Sequence, residues 1–194
     1  MAIPAIYFVR HGQTEWNAAG KLQGRLDIPL NLVGRAQAKR NGKVLAELMR
    51  GPQAMSYVAS PLSRTRQTME IARKALGLAS EGFATDDRLL EINFGHWEGK
   101  TWGEIEVEYP EQLKMRSADE FGFPVPGGES YADVMARVVS WIGSITRPTV
   151  VVSHGGIMRC LRGYVMGLPN DAILKLDIPQ DKVMLVEEGS VRLI

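Results

Sequence analysis

The stretch Ile6-Tyr7-Phe8-Val9-Arg10-His11-Gly12-Gln13-Thr14 runs from an apolar, β-type segment straight into an arginine, a histidine and a glycine. A buried strand ending this way puts a fixed cation and a nucleophile at its C-terminal end, the edge where open α/β sheets bind their ligands. The chain holds 3 histidines in 194 residues, so one at this place calls for an explanation. Taken alone, the stretch reads equally well as a strand whose Arg10 and His11 face solvent. The choice falls to the rest of the chain.

The arrangement recurs twice. Tyr57-Val58-Ala59-Ser60 leads into Pro61-Leu62-Ser63-Arg64, and Thr149-Val150-Val151-Val152-Ser153 leads into His154-Gly155-Gly156. Ser60 has the character of an N-cap with Pro61 at the first helical position, which places Arg64 in the first turn or just beyond. After His154, the residues Ile157, Cys160, Leu161, Tyr164 and Val165 are spaced as one face of a helix that stops at Gly167. Were the three strands parallel neighbours, Arg10, His11, Arg64 and His154 would converge on one crevice.

Two guanidiniums flanked by imidazoles describe an anion site, and arginine's planar fork suits phosphate oxygens. A phosphate monoester carries nearly two negative charges at neutral pH, and helix N-termini at the same edge add N–H donors. Two histidines and a carboxylate could instead ligate a metal, but Arg10 beside His11 would repel a divalent cation, and no His-x-x-x-His or paired-cysteine spacing is present. With phosphate bound, a neutral imidazole is a competent nucleophile and yields a phosphohistidine. Nearby arginines favour that neutral form and stabilise charge on the transferring group. The leaving alkoxide needs a proton. The best-placed donor is Glu91, whose apolar neighbours Leu89, Leu90 and Ile92 would favour its protonated form; an ordinary surface acid fits that local context too.

These residues resemble the signature of the histidine phosphatase superfamily, the phosphoglycerate mutase-like proteins. Arg10-His11-Gly12 with Thr14, Glu15, Trp16 and Asn17 is similar to that family's first block, and Ser60-Pro61-Leu62-Ser63-Arg64-Thr65-Arg66-Gln67-Thr68 to its second. Leu89-x-Glu91 followed by Gly95-x-Trp97-Glu98-Gly99 is similar to the third, and Ser153-His154-Gly155-Gly156 to the fourth. The resemblance implies a three-layer αβα sandwich with a mostly parallel central sheet. It implies His11 as the phosphorylated nucleophile, Glu91 as proton donor, and Arg10, Arg64 and His154 as phosphate ligands. Thr14, Asn17, Gln23, Gly24 and Gly155 would complete the phosphate-binding set, with no metal and no cofactor. Within the superfamily the likeness leans to phosphatases. Residues 22–30, Leu-Gln-Gly-Arg-Leu-Asp-Ile-Pro-Leu, are of the phosphatase type, and the Ser-Gly-Trp of the glycolytic mutases is missing. Ile92-Asn93-Phe94-Gly95 stands where mutases carry Arg-His-Tyr-Gly, and the longer basic inserts of mutases are absent. Mutase-type phosphoryl transfer and a non-catalytic phosphate-binding protein are the alternatives; the second is disfavoured because nucleophile and acid are both in place.

The bounds agree. A chain of 194 residues suits a single domain spanning 1–194. A net charge of +1 leaves no basic footprint for nucleic acid. The short N-terminal apolar stretch is expected to be neither signal peptide nor membrane span. One cysteine, Cys160, forms no internal disulfide, which suits a cytoplasmic location. The expected partner is a small phosphate monoester, and a homodimer through an exposed strand edge is compatible with the sequence. Asn31 caps a helix expected to run to about Arg50, with Val44, Leu45 and Leu48 inward. Ser130, three before Asp133, predicts a capping box for a helix from Tyr131 to Ile145 with Val134, Val138, Trp141, Ile142 and Ile145 on its apolar stripe. Ile173 to Ile178, Val183 to Glu187 and Val191 to Ile194 read as strands. Residues 93–129 form a long, less regular insert carrying Trp97, Trp102, Tyr109, Phe121 and Phe123. Such inserts are usually functional, and in the family this region folds over the active site, so some of these rings are expected to line an apolar entrance and the others to pack in a core.

Overall fold

The structure, a computed structural model, describes residues 3–49 and 51–194. Its strands are β1 (Ile6–Arg10), β2 (Ser56–Ala59), β3 (Ala84–Thr85), β4 (Thr149–Ser153), β5 (Val183–Glu187) and β6 (Ser190–Leu193). They form one sheet in the order β3-β2-β4-β1-β5-β6. The first four in chain order run parallel, whereas β5 lies antiparallel to β1 and β6 to β5. The three strands that carry the signature residues are therefore adjacent and parallel, with β4 between β2 and β1, as the sequence required for convergence.

The helices are α1 (Glu15–Ala18), α2 (Leu32–Leu48), α3 (Ser63–Ala75), α4 (Trp102–Glu108), α5 (Pro110–Ala118), α6 (Tyr131–Ile142), α7 (Gly155–Val165) and α8 (Asn170–Leu174). Successive strand side chains point to opposite faces, and the two faces have separate cores. Ile6 and Phe8 of β1, Val151 of β4 and Met184 and Val186 of β5 pack with Val134, Val138 and Trp141 of α6 and Ile157, Met158 and Leu161 of α7. Their neighbours Tyr7, Val9, Val150, Val152 and Leu185 pack instead with Leu45 of α2 and Met69 and Ala72 of α3. Each fully buried large side chain is worth roughly 1.5–3 kcal/mol relative to exposure, so both helical layers are held by the alternation written into three short strands. This is the three-layer αβα architecture.

Several boundaries differ from the sequence reading. The helix after β2 begins at Ser63, not Pro61, and its N-cap residue is Leu62, which makes no side-chain cap bond. The Ser60 hydroxyl is held instead by the His154 ring, and Asp27 Oδ1 takes over the capping role by accepting from Ser63 N and Oγ, both at 2.8 Å. Arg64 still falls in the first turn. α6 has its Ser130–Asp133 capping box but ends at Ile142, because Ser144 Oγ folds back to donate to the Trp141 carbonyl; Ile145 packs just beyond the helix. α2 starts from Asn31 as expected and stops at Leu48; the expected end near Arg50 lies outside the described residues. Tyr164 is 44% exposed and leaves the buried face that Ile157, Cys160 and Leu161 form.

The largest correction concerns Ile173 to Ile178. No strand forms there: Asn170–Leu174 is the short helix α8, and residues 175–182 are a loop leading to β5. Ile173 is 2% exposed and sits on Gly163 of α7, where an added Cβ would lie 2.3 Å from Ile173 Cγ1. A strand cannot present Ile173 to that notch. The insert is also more regular than expected. It contains α4 and α5 around a small core of Trp97, Ile105 and Val125, against which Tyr109 and Phe123 pack. Phe121 stacks on Tyr131, and Trp102 remains 44% exposed.

Candidate active site

β1 and β4 end side by side, with Arg10 opposite Ser153 in register. The chain turns out of the sheet at both points, and His11 and His154 come to rest with ring centroids 5.1 Å apart. Gly12 follows His11 because an added Cβ would sit 2.2 Å from the Gly34 carbonyl oxygen of α2. The two backbones touch at that point, and only glycine permits it.

Both rings are buried, at 2% exposure for His11 and 0% for His154. Burial, then the Arg64 charge, holds both imidazoles well below their ordinary value of 6.5, with Arg10 adding to the effect. Both are neutral in the free site, and their hydrogen bonds define the tautomers. His11 Nδ1 lies 2.8 Å from the Gly12 carbonyl. A carbonyl only accepts, so Nδ1 carries the proton and Nε2 presents a lone pair. Among the described residues Nε2 has no partner, and His11 lines the cavity beside it. His154 is the opposite case. Arg64 Nε donates to its Nδ1 at 3.3 Å, so its Nε2 holds the proton and donates to Ser60 Oγ at 2.8 Å. Of the two imidazoles, only His11 has a lone pair to offer.

Arg64, in the first turn of α3, is fully buried. Besides its bond to His154, its Nη1 and Nη2 donate to the carbonyls of Leu26 and Gly24, each at 2.7 Å. A guanidinium has five N–H groups, so two remain for a ligand. Arg10 Nη1 donates to the Ile178 carbonyl at 2.5 Å, while its Nε is buried without a partner. That orphaned donor marks a place where an acceptor is wanted.

Glu91 reaches the N-terminus of α7, between its buried apolar neighbours Leu89 and Ile92. Its Oε1 accepts from the backbone N–H groups of Ile92 and Gly156, both at 3.0 Å. The second oxygen has no partner among the described residues, and Glu91 lines the cavity. Gly156 permits this, since an added Cβ would stand 2.6 Å from Oε1.

The cavity holds about 250 Å³ and is lined by Arg10, His11, Asn17, Gln23, Gly24, Arg64, Glu91 and Gly155, all of which the sequence singled out. Asn17 Oδ1 accepts from Thr14 N and Gln180 Nε2, and Gln23 Oε1 accepts from the Thr14 hydroxyl. Both amides thereby keep their NH₂ groups for the cavity. Two expected ligands lie behind the wall. Thr14 is fully buried and caps α1, and His154 is not among the lining residues; each orients a neighbour that does face the cavity.

The lining also includes Trp102, one of the insert rings among which an apolar entrance was expected, and Lys21, Leu22, Phe94, Tyr131, Arg159 and Ile178, which the sequence reading did not assign to the site. For Arg159 a signal existed, since it lies one turn beyond Gly155 on the same helix face. For Ile178 none did: its contribution is a backbone carbonyl. Gln180, from the same loop, bridges the His11 carbonyl and Asn17. Among the described residues no three His, Cys, Asp or Glu side chains are grouped as metal ligands, and no helix is long and apolar enough to cross a membrane.

Known proteins share this fold. Residues 6–191 match the family described as histidine phosphatase superfamily (branch 1). The probable phosphoglycerate mutase GpmB of Yersinia pestis is 33% identical over 177 residues, spanning 88% of this chain and 79% of that protein. Among solved structures, YhfR of Bacillus stearothermophilus superposes with a TM-score of 0.81 at 28% identity, covering 98% and 95% of the two chains. A mycobacterial glucosyl-3-phosphoglycerate phosphatase, solved as a complex with VO3, gives 0.80 at 29% identity over 98% and 97%. With this match over nearly its whole length, the chain belongs to the histidine phosphatase superfamily.

Proposed function

We propose that the protein is a metal-independent phosphomonoester hydrolase that works through a phosphohistidine on His11. The observation that carries this is the unengaged Nε2 lone pair of His11, beside a His154 whose two nitrogens are both occupied. In the first half-reaction Nε2 forms a bond to phosphorus as the ester P–O bond breaks, and Glu91 gives the departing alkoxide its proton. Arg10, Arg64, Asn17, Gln23 and the N-terminal turn of α7 hold the three equatorial oxygens, where negative charge is spread in the transition state. In the second, Glu91 takes a proton from water as its oxygen attacks phosphorus and the P–N bond breaks, releasing phosphate and free His11. His154 stays neutral and orients Arg64.

The substrate is a small phosphorylated metabolite. Leu22, Phe94 and Trp102 in the cavity wall support a preference for esters of apolar or aromatic alcohols, with the 93–129 insert shaping the choice, and the single buried Cys160 suits a cytoplasmic enzyme. Assay against a panel of phosphate monoesters in EDTA tests the proposal. Wild type should release phosphate, His11→Ala should lose at least about 10³-fold in kcat, and quenching in alkali, where the acid-labile P–N bond of a phosphohistidine survives, should find phosphate on wild type only. The likeness to GpmB favours a second reading, phosphoglycerate mutase-type transfer. A wild type that releases no phosphate from any ester but interconverts phosphoglycerates would establish it.

A further inference from the structure

Arg64 does not reach its position by packing alone. Its Nη1 and Nη2 are held by the carbonyls of Leu26 and Gly24, so the guanidinium is only as well placed as the loop that carries those carbonyls. The loop is tied at both ends. Leu22 exchanges backbone hydrogen bonds with Lys100 and Gly99, and Asp27 caps α3 through Ser63. In the middle, Arg25 Nη2 donates to Glu129 Oε1 at 3.0 Å, and the backbone itself rests on a second side chain of the insert. Glu98 Oε1 accepts from Arg25 N at 2.9 Å and from Phe94 N at 3.2 Å. Gly24, at φ +50, lies against the same oxygen, and an added Cβ would come within 1.9 Å of it. Glu98 itself does not line the cavity, and its negative charge also acts on Arg64.

We propose that Glu98 is a positioning residue: its carboxylate holds the Gly24–Leu26 backbone in the register that aims Arg64 at the transferring phosphate. A salt-bridge role is not needed, because what Glu98 supplies is two accepted N–H bonds at one oxygen. Glutamine can supply the same two bonds; alanine cannot.

The kinetic arm of the test rests on the hydrolase reading, whereas binding of inorganic phosphate does not, so the two can fail separately. Glu98→Ala, Glu98→Gln, Arg64→Ala and the double variant Glu98→Ala/Arg64→Ala would be compared in phosphate affinity by calorimetry, in kcat and KM on an aryl phosphate, and in Tm. Glu98→Ala should weaken phosphate binding by about tenfold and lower kcat/KM at least as much, while Glu98→Gln stays within about threefold of wild type. On the Arg64→Ala background, Glu98→Ala should add less than about twofold, since it acts through the residue already removed. Equal losses on both backgrounds, or wild-type phosphate affinity in Glu98→Ala, would overturn the proposal. Should Glu98→Ala fail to fold, Gly24→Ala, whose methyl displaces the same oxygen, must show the same loss and the same dependence on Arg64. A wild type that binds phosphate without hydrolysing any ester would defeat the hydrolase reading while leaving the binding arm to decide on Glu98.

Discussion

Gly156 sets how close the Glu91 carboxylate comes to the start of α7, and so where its free oxygen points. With an added Cβ only 2.6 Å from Oε1, Gly156→Ala must push the carboxylate off the two N–H groups it accepts from. Proton delivery to the leaving group should suffer more than phosphate binding, which the arginines dominate. We expect kcat to fall at least about tenfold, with inorganic phosphate inhibition changed by less than about threefold; equal losses in both would show that Glu91 mainly shapes the phosphate pocket. At this scale the sequence is informative about which residues meet: Arg10, His11, Arg64 and Glu91, which the structure gathers around one cavity, are legible from short blocks, as is His154 behind them. It was silent on the acceptors that aim them, because the carbonyls of Gly24, Leu26 and Ile178 belong to residues whose side chains are irrelevant to the bond. It misled on Ser60, whose capping chemistry is real but is outcompeted by a buried imidazole 94 positions away. The choice between the two histidines needed hydrogen-bond partners that no sequence displays.

The segment between α8 and β5 shows why elements can be misread when single residues are not. Leu174, Leu176 and Ile178 alternate with polar residues or lie between them as in a half-buried strand, and local pattern gives no reason to expect otherwise. What overrides it is tertiary: Ile173 fills the notch at Gly163, and the loop's polar groups are spent on the active site and on α2. Gln180 donates to the His11 carbonyl and to Asn17 Oδ1, its own carbonyl accepts from Asn41, and Asp181 O accepts from Arg40. This loop is a strap from α2 across the turn at His11. Gln180→Ala should free the Asn17 amide to rotate and cost about 1–2 kcal/mol of stability from two lost hydrogen bonds. The measurable consequence is a KM raised by about three- to tenfold with a smaller change in kcat, read from steady-state kinetics. Unchanged KM together with the stability loss would make the strap purely structural. The strands and long helices, by contrast, were legible because apolar alternation and capping residues agree, as at Asn31 and Ser130.

For the molecule as a whole, the active site is built at the expense of stability in acid. The protein keeps two imidazoles fully buried and neutral beside two arginines, with both held well below 6.5 by burial first and by Arg64 second. In the unfolded chain the same histidines protonate near 6.5. Below that pH the unfolded state binds more protons than the folded one, so stability rises with pH in this range. The stability is fully present above about pH 6.5 and is lost progressively as pH falls toward the depressed folded values. Each histidine contributes a slope of about 1.4 kcal/mol per pH unit once its unfolded form is fully protonated, so the pair gives up to about 2.7 kcal/mol per unit. Denaturant titrations at pH 7.5, 6.5, 5.5 and 5.0 should show stability flat at the top of the series and falling steeply at the bottom. His11→Asn should reduce the slope by about half at the acid end, because it removes one of the two linked protons and keeps a polar side chain near the same volume. A wild type whose stability is flat from pH 7.5 to 5.0 would mean that the imidazoles take up protons in the folded state, and the neutral nucleophile on which phosphohistidine chemistry depends would then be lost below pH 6.5 rather than protected there.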